Sequence, residues 1–346
     1  MQKNPQHFTA IVAVLLISAT LQSCNPNGLS PTSTGDWTTK SELNGPVRTD
    51  AVTFTINNMA YVGTGYSGTK WMTDFWVYNP TLNSWTQITD FPGAARSQAV
   101  AFAIGAQGYV GTGYDGHNML SDFYRYDTTT KNWSLSAPFA GSARYDAVAF
   151  AISDKGYVTT GFDGTYQKDF WQYDPTAGAL GTWVQKTSSG GEKRSAASAF
   201  VYGTKAYLVG GTNNGTECGD LWYYDATADT WVQERNIYNA TSQTFDDDYT
   251  DIERDNAVSF VIGDTAYFVT GENGNLLTTT WAYVLAQDQW IRRSPIVVVR
   301  QGAVGFALNG YGYFSTGKTS ESSVGYLDDL VEFLPNKALN TDDYGQ

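Results

Sequence analysis

The sequence is poor in the residues from which most metal and disulfide sites are built. Its 346 residues include only two cysteines, Cys24 and Cys218, and only two histidines, His7 and His117. Zinc and copper sites use several His or Cys ligands, so we expect neither a metal nor another cofactor. A disulfide framework is excluded within the mature chain if Cys24 is otherwise occupied.

Charge is also scarce, and it is mostly negative. Charged residues make up 16% of the chain, and 21 Lys and Arg face 34 Asp and Glu, for a net charge of −13. A sequence-independent nucleic-acid binder needs a basic stripe, so we expect no nucleic-acid partner. Aromatic residues and glycine are plentiful, with 11 Trp, 23 Tyr, 17 Phe and 35 Gly. This composition favours many short strands and tight turns over a helical bundle.

The apolar run near the N-terminus is too short for a permanent membrane anchor. It covers twelve residues, 10–21, whereas a bilayer-spanning helix needs about 20. The run is typical of the apolar core of a secretory signal peptide. We therefore predict a signal peptide over residues 1–23.

The residues that follow the apolar run, 21–24 (LQSC), resemble the lipobox of bacterial lipoproteins. This resemblance implies that Cys24 is lipidated and becomes the first residue of the mature chain. The alternative is an ordinary signal cleavage near this point, in which Cys24 has no special role. Residues 24–36 are rich in Pro, Gly, Ser, Thr and Asn, which indicates a flexible tether. Asn25 after the cysteine is compatible with onward transport to the outer membrane. We expect a protein of the bacterial cell envelope that contacts membrane only through its lipid.

A unit of about 50 residues is repeated six times along the chain. The copies open on arginines at positions 48, 96, 144, 194, 254 and 300. Each arginine is followed by alanine after three residues, phenylalanine after six, tyrosine after 13 and glycine after 17. About 30 residues after the arginine comes an aromatic block such as residues 74–79 (DFWVYN), and a tryptophan closes five of the copies. Each unit therefore holds about four short strands, and the copies must pack on one another to bury both faces.

The repeated motif resembles the kelch repeat, with its opening arginine, tyrosine, glycine pair, aromatic block and closing tryptophan. The glycine pair is complete only at Gly210 and Gly211. The resemblance covers residues 37–335 and implies an all-β, six-bladed β-propeller of four-stranded antiparallel blades, similar to the central domain of galactose oxidase. Residues 336–346 are then a C-terminal tail.

The sequence also predicts how the ring closes. The sixth copy ends at Pro335 without a closing tryptophan, whereas a spare one, Trp37, stands 11 residues before Arg48. The gaps from Trp85 to Arg96 and from Trp133 to Arg144 have the same length. The strand around Trp37 should therefore complete the last blade, which removes two free sheet edges.

The loops after the repeat glycines and the segments beside the arginines should meet at one end of the propeller, and proteins of the kelch family often bind ligands there. Aromatic faces beside carboxylates and amides suit a glycan, and they also suit a basic peptide or a cation. An alternative is that these residues only cap their loops. The candidate ligand-binding residues are Tyr66, Tyr114, Asp115, Tyr145, Asp146, Phe162, Asp163, Glu272 and Asn273.

The longest interruption of the repeat is an acidic segment between the fourth and fifth copies. Residues 236–253 carry five carboxylates in eight residues, Asp246, Asp247, Asp248, Asp251 and Glu253. A solvated acidic loop is one interpretation, and contact with a partner or a cation is the other.

We expect a non-catalytic module that binds a glycan or a protein at the loop end. Copper oxidase chemistry of the galactose oxidase kind is excluded, because it needs two histidine ligands and the mature chain retains only His117. The alternative is an enzyme similar to the sialic acid mutarotases, which are also exported six-bladed kelch proteins and need only proton transfer.

Overall fold

The computed structural model describes Met1, residues 34–320 and residues 325–340, and every regular element in these residues is a β-strand. Six four-stranded antiparallel sheets form the blades. Blade 1 contains β2 (Val52–Ile56), β3 (Met59–Gly63), β4 (Phe75–Asn79) and β5 (Ser84–Ile88). Blade 2 contains β6 (Val100–Ile104), β7 (Gln107–Gly111), β8 (Phe123–Asp127) and β9 (Asn132–Ser136). Blade 3 contains β10 (Val148–Ile152), β11 (Lys155–Thr159), β12 (Phe170–Asp174) and β13 (Thr182–Lys186).

The remaining blades follow the same plan. Blade 4 contains β14 (Ser198–Tyr202), β15 (Lys205–Val209), β18 (Leu221–Asp225) and β19 (Thr230–Gln233), with a small hairpin of β16 (Thr212–Asn213) and β17 (Thr216–Glu217). Blade 5 contains β20 (Val258–Ile262), β21 (Thr265–Val269), β22 (Thr280–Val284) and β23 (Gln289–Arg293). Blade 6 contains β24 (Val304–Leu308), β25 (Tyr311–Ser315), β26 (Leu330–Ala338) and β1 (Thr34–Lys40). The predicted all-β, six-bladed propeller is confirmed.

The first strand of every blade lies at the axis of the ring. Each of these strands contacts the first strands of the two neighbouring blades, and β2 contacts both β6 and β24. The cycle of contacts is therefore closed, and blade 6 packs beside blade 1.

The ring is closed as the spare tryptophan predicts, because β1 pairs with β26 and Trp37 lies opposite Phe333. The Trp37 side chain is 5% exposed, and its Nε1 donates to the Ser294 carbonyl at 3.0 Å. The boundaries differ slightly from the prediction. β1 begins at Thr34, inside the segment expected as tether, because the tether end still pairs with β26. β26 continues past Pro335 to Ala338, into the expected tail.

Alternating large and small residues lock each blade onto the next. In blade 1 the rings of Phe54 and Tyr61 stack at 4.9 Å, and all six blades repeat this pair. The next blade meets the phenylalanine with a small residue. A Cβ added to Gly108 would lie 2.2 Å from the Phe54 ring, so a larger residue there would push the blades apart.

The six repeat arginines have a structural role, and their side chains are buried. In blade 3, Arg144 donates to both carboxylate oxygens of Asp169, at 2.5 and 2.8 Å, and to the Thr160 carbonyl at 2.8 Å. Equivalent ion pairs occur in blades 1, 2, 4 and 6. Each pair joins the start of the blade to its third strand.

The predicted signal peptide and the predicted lipidation site, Cys24, lie outside the described residues. Within the described part of the chain, no helix is long and apolar enough to cross a membrane.

Candidate functional site

A ring of backbone hydrogen bonds crosses the axis at one end of the propeller. One residue from each blade, two positions after its arginine, takes a left-handed φ between 49° and 63°. Each of these residues donates its backbone N–H to the carbonyl of the equivalent residue in the preceding blade, at 2.8 to 3.2 Å. The residue of blade 1 donates to that of blade 6, which closes the ring. We call this the axial ring; its members are Asp50, Gln98, Asp146, Ala196, Asn256 and Gly302. A cavity of about 160 Å³ is lined by the axial ring and by the alanine that follows each member.

Around the axial ring, each blade contributes three side-chain positions. The residue after the arginine pairs with the residue after the repeat glycine, as in Thr49 with Tyr66, and in five blades the latter pairs with a third residue, as in Tyr66 with Trp71. In blade 4 the equivalent hairpin pairs Thr212 with Glu217. We call this end of the molecule the loop face. It is the meeting of loops and arginine segments that the repeat predicts.

Seven aromatic side chains follow one another across four neighbouring blades of the loop face. The centroids of neighbouring rings in this row are 4.6 to 6.4 Å apart. Every member is half-buried. We call this row the aromatic arc; its members are Tyr326, Tyr66, Trp71, Tyr114, Tyr145, Phe162 and Tyr166. It gives blades 6, 1, 2 and 3 a continuous apolar surface with exposed ring atoms.

Blades 4 and 5 carry carboxylates in the same positions. Glu217 stands where blade 1 has Trp71, and Glu272 stands where blade 1 has Tyr66. Together with Asp255 and Glu253 they form the carboxylate sector. Burial raises the pKa of Glu217 to about 7, and the charges of Asp255, Glu272 and Glu253 add to the rise. Burial and the charge of Glu272 likewise raise the pKa of Asp255 to about 6.

Asp146 connects the two halves of the loop face at the axial cavity. Burial raises its pKa well above the usual range, and the charges of Asp50 and Asp255 act in the same direction. A hydrogen bond from Gln98 Nε2 at 2.8 Å and the charge of Lys318 oppose the rise. Asp146 therefore lies in a site where negative charge is already crowded.

Several residues predicted to bind a ligand are used by their own loops. Asp115 accepts the backbone N–H groups of His117 and Asn118, at 2.8 and 2.6 Å. Asp163 accepts hydrogen bonds from Ser142, Thr165 and Gln167. Burial alone would raise the pKa of Asp163, but these hydrogen bonds outweigh it and lower the pKa to about 2. The capping alternative therefore describes Asp115 and Asp163.

The aromatic candidates share one turn but keep their rings at the loop face. Tyr66 and Tyr114 each donate their hydroxyl to a glycine carbonyl two residues later, at 2.8 and 2.9 Å. Tyr145 and Phe162 pack on each other at 5.6 Å. Asn273 is exposed and donates to the Glu253 carbonyl at 2.9 Å. The rings of the four aromatic residues, with Asp146 and Glu272, remain as the predicted residues that the fold brings together.

The acidic segment is more tightly built than an acidic loop in solvent. Asp246 is buried and accepts hydrogen bonds from Ala240 and Thr241. Asp251 accepts the Trp281 Nε1 proton at 2.9 Å and lies 3.9 Å from Arg254. Of the five carboxylates that the hypothesis of partner or cation contact names, only Asp247 and Asp248 are exposed.

The sequence prediction omitted Trp71, Tyr166 and Tyr326 from the aromatic arc, and Glu217 from the carboxylate sector. Counted from the repeat arginine, these residues stand at positions 23, 22, 26 and 23. The turn that precedes them varies in length between blades. Trp71 and Glu217 share position 23, so a direct comparison of the copies at that position would have aligned them, whereas Tyr166 and Tyr326 are displaced by the turn.

Other reactive groups of the described chain offer little chemistry. Burial raises the pKa of the Cys218 thiol to about 11, so that thiol is protonated and unreactive near neutral pH. Among the described residues, no group of three or more His, Cys, Asp and Glu side chains has an arrangement that could hold a metal ion.

Comparisons with known proteins agree with this architecture. The kelch motif matches residues 193–236, and a search of curated proteins gave no match. Among solved structures, one titled "Structure of YjhT" is similar with a TM-score of 0.69 and 17% sequence identity. The similarity covers 84% of this chain and 95% of that chain. At this identity the likeness shows the fold alone: the protein is a kelch-motif, six-bladed β-propeller.

Proposed function

We propose that this protein is a non-catalytic binding module that presents its loop face to a glycan. The aromatic arc is the observation that carries the proposal. Sugar rings expose C–H faces that stack on aromatic rings, and the arc supplies half-buried rings across four blades without a break. Carboxylates and amides of the axial ring lie beside it and supply acceptors and donors for hydroxyl groups.

Binding should depend on single rings at the centre of the arc. Trp71 is the largest of them and contacts both Tyr66 and Tyr114. We expect Trp71→Ala to weaken glycan binding at least tenfold, measured by calorimetry with the glycans that the wild-type protein selects on an array. Tyr202→Ala is the matched control, because Tyr202 is an exposed aromatic residue at the end of β14 that lies away from the loop face. Equal losses in both variants, or none in Trp71→Ala, would refute this location.

We further propose that lipid on Cys24, in the LQSC sequence, tethers the propeller to the bacterial envelope. Several buried acyl chains hold a protein to a bilayer far more stably than one. Metabolic labelling with a palmitate analogue should mark the wild-type chain and leave Cys24→Ser unmarked. Labelling of both chains, or of neither, would contradict the lipid tether.

One observation favours an enzyme as the second candidate. The pKa of Glu217, about 7, suits a general acid or base at neutral pH. A protein similar to the sialic acid mutarotases would accelerate exchange between the anomers of N-acetylneuraminate, which NMR follows directly. Acceleration that is lost in Glu217→Gln would establish the enzyme and displace the binding module, whereas an uncatalysed rate would favour the module.

A further inference from the structure

We propose that the glycan bound at the loop face carries a free, protonated amino group, which the carboxylate sector holds while the aromatic arc stacks the sugar rings. This inference rests on the proposed function and names its ligand class. It follows from the division of the loop face into an aromatic half and an anionic half, with the axial cavity between them.

The carboxylate sector lacks the positive partners that the repeat aspartates of the blades have. Asp74, Asp122 and Asp169 each meet a buried arginine within 3.1 Å. By contrast, within the described ranges no Lys, Arg or His nitrogen lies within 4 Å of a carboxylate of the sector. Crowded negative charges without a counter-ion destabilise the folded protein. A bound cation would reduce this repulsion and restore the lost stability.

One carboxylate oxygen of the sector has no hydrogen-bond partner. Glu217 Oε2 is buried and accepts no hydrogen bond from any described residue. A buried acceptor without a donor is costly in a folded protein. The neighbours that shift the pKa of Glu217 are Asp255, Glu272 and Glu253, and all three are acceptors. An ammonium group supplies three donors and the missing positive charge at once.

The charges around the axial cavity also favour binding of a cation on the side of blades 4 and 5. Its walls include Asp50, Asp146 and the amides of Gln98 and Asn256. Lys318 of blade 6 offsets part of the negative charge at Asp146, whereas Asp255 of blade 5 increases it. A cation at the cavity therefore meets the stronger attraction toward the carboxylate sector. The two ends of the arc lie in blades 6 and 3, which are the neighbours of blades 5 and 4 in the ring, so one ligand with rings and an amine can contact both.

A saccharide satisfies the loop face better than a basic peptide does. The arc is a row of seven neighbouring rings, and successive sugar residues of a saccharide can each stack a C–H face on one of them. A lysine side chain offers a single flexible alkyl stem to such a surface. A tetralysine peptide is therefore the competitor in the test.

The direct test compares two tetrasaccharides that differ only in the charge of their nitrogen. We expect the glucosamine tetramer to bind the full chain at pH 7 at least tenfold more tightly than the N-acetylglucosamine tetramer, measured by calorimetry at low salt. Equal affinities would overturn the proposal. Tighter binding of tetralysine than of the glucosamine tetramer would also overturn it, in favour of a basic peptide.

Two substitutions locate the amino group. Glu217→Gln and Asp255→Asn should each weaken the glucosamine tetramer at least fivefold and leave the acetylated tetramer unchanged. Asp154→Asn is the control, because this carboxylate is exposed in the hairpin at the other end of blade 3. Thermal melting confirms folding of each variant. Unchanged binding in both sector variants would refute the assignment.

The dependence on pH separates this site from ordinary charge attraction. Lowering the pH from 7 to 5 protonates more of the ligand's amines, which alone would strengthen attraction to fixed carboxylates. In this site the same change protonates Glu217 and Asp255, whose neighbours are Glu272, Glu253 and Asn256. We expect affinity to fall at least threefold over this range, and a steady rise would contradict the proposal.

The two proposals can fail separately. If neither tetramer binds but binding of array glycans still depends on Trp71, the assignment of the amino group is wrong and the glycan-binding function stands. If no glycan binds, both proposals are wrong.

Discussion

The repeat arginines show how one side chain can organise a blade. Arg144 is completely buried, and its guanidinium satisfies two carboxylate oxygens and two backbone carbonyls. The planar fork of arginine matches a carboxylate bidentately, which a lysine cannot do. Because the partner Asp169 also accepts the Trp171 Nε1 proton at 2.7 Å, this pair anchors the first and third strands together.

Removing the carboxylate charge should leave the arginine buried without a counter-ion. We expect Asp169→Asn to lower the free energy of unfolding by about 3 kcal/mol, measured by urea denaturation. Asp154→Asn removes an equally negative side chain from an exposed pair with Lys155 and should leave stability unchanged. If the two substitutions changed stability equally, burial would not determine how much the ion pair between Arg144 and Asp169 stabilises the blade.

The raised pKa of Glu217 should make the folded protein less stable as the pH rises. Its pKa is about 7 in the folded protein against an ordinary value of 4.5, so the folded chain binds more protons than the unfolded chain between these values. Stability therefore falls as pH rises from about 4.5 to 7. We expect Glu217→Gln to be more stable than the wild type at pH 8, with the difference gone at pH 4. Urea denaturation at both values would contradict this if the variant were less stable at pH 8.

At the scale of elements, the acidic segment repairs a blade that lacks its own carboxylate. Blade 5 has Thr279 near the point where the other blades place the aspartate partner of the arginine, and Arg254 donates to its carbonyl and hydroxyl. Asp251 supplies the missing acceptor for Trp281. Ile237, Tyr249 and Ile252 of the same segment are buried in the core beside blade 5. The segment is therefore part of the blade.

This role distinguishes the carboxylates of the segment by their effect on stability. Asp251→Ala should lower the free energy of unfolding by about 2 kcal/mol, because it removes the Trp281 acceptor and the charge nearest Arg254. Asp247→Ala should have no effect, since Asp247 is exposed. Thermal and urea unfolding measure both. Equal stability of the two variants would mean that the segment is a solvated loop.

The small hairpins of the loop face mark the limit of what the sequence predicts. Offsets from the arginine are constant through the glycine, so the strands, the blade number and Tyr66 and Tyr114 follow from the repeat. Beyond the glycine the turns differ in length, and the hairpin partners Tyr166 and Tyr326 stand 22 and 26 residues after their arginines, out of register with Trp71 at 23. The use of Asp115 and Asp163 as loop caps depends on hydrogen bonds to their own turns, which composition cannot reveal.

At the scale of the whole molecule, the ring depends on a seam between distant parts of the chain. β1 lies at the outer edge of blade 6, and Trp37 packs on Phe314 and Phe333 at 5.2 and 4.5 Å. Without β1, the edge of β26 would present unpaired backbone groups to other molecules. The seam therefore protects the ring from opening and from pairing edge to edge.

Loss of the seam tryptophan should weaken the whole propeller. We expect Trp37→Ala to lower the free energy of unfolding by about 3 to 5 kcal/mol and to promote self-association, measured by urea unfolding and sedimentation. Leu135→Ala, at an apolar residue that is 56% exposed, is the control and should change neither. Unchanged stability in Trp37→Ala would contradict closure through β1.

A glycan that binds the whole molecule at the loop face should lie on the aromatic arc. The most direct measurement is fluorine NMR of the protein labelled with 5-fluorotryptophan, titrated with the tightest-binding array glycan. Trp71→Phe assigns the Trp71 signal, and Trp133 reports on the outer strand of blade 2. We expect the Trp71 signal to shift with saturation while the Trp133 signal stays in place. A saturable shift at Trp133 with Trp71 unmoved would contradict it.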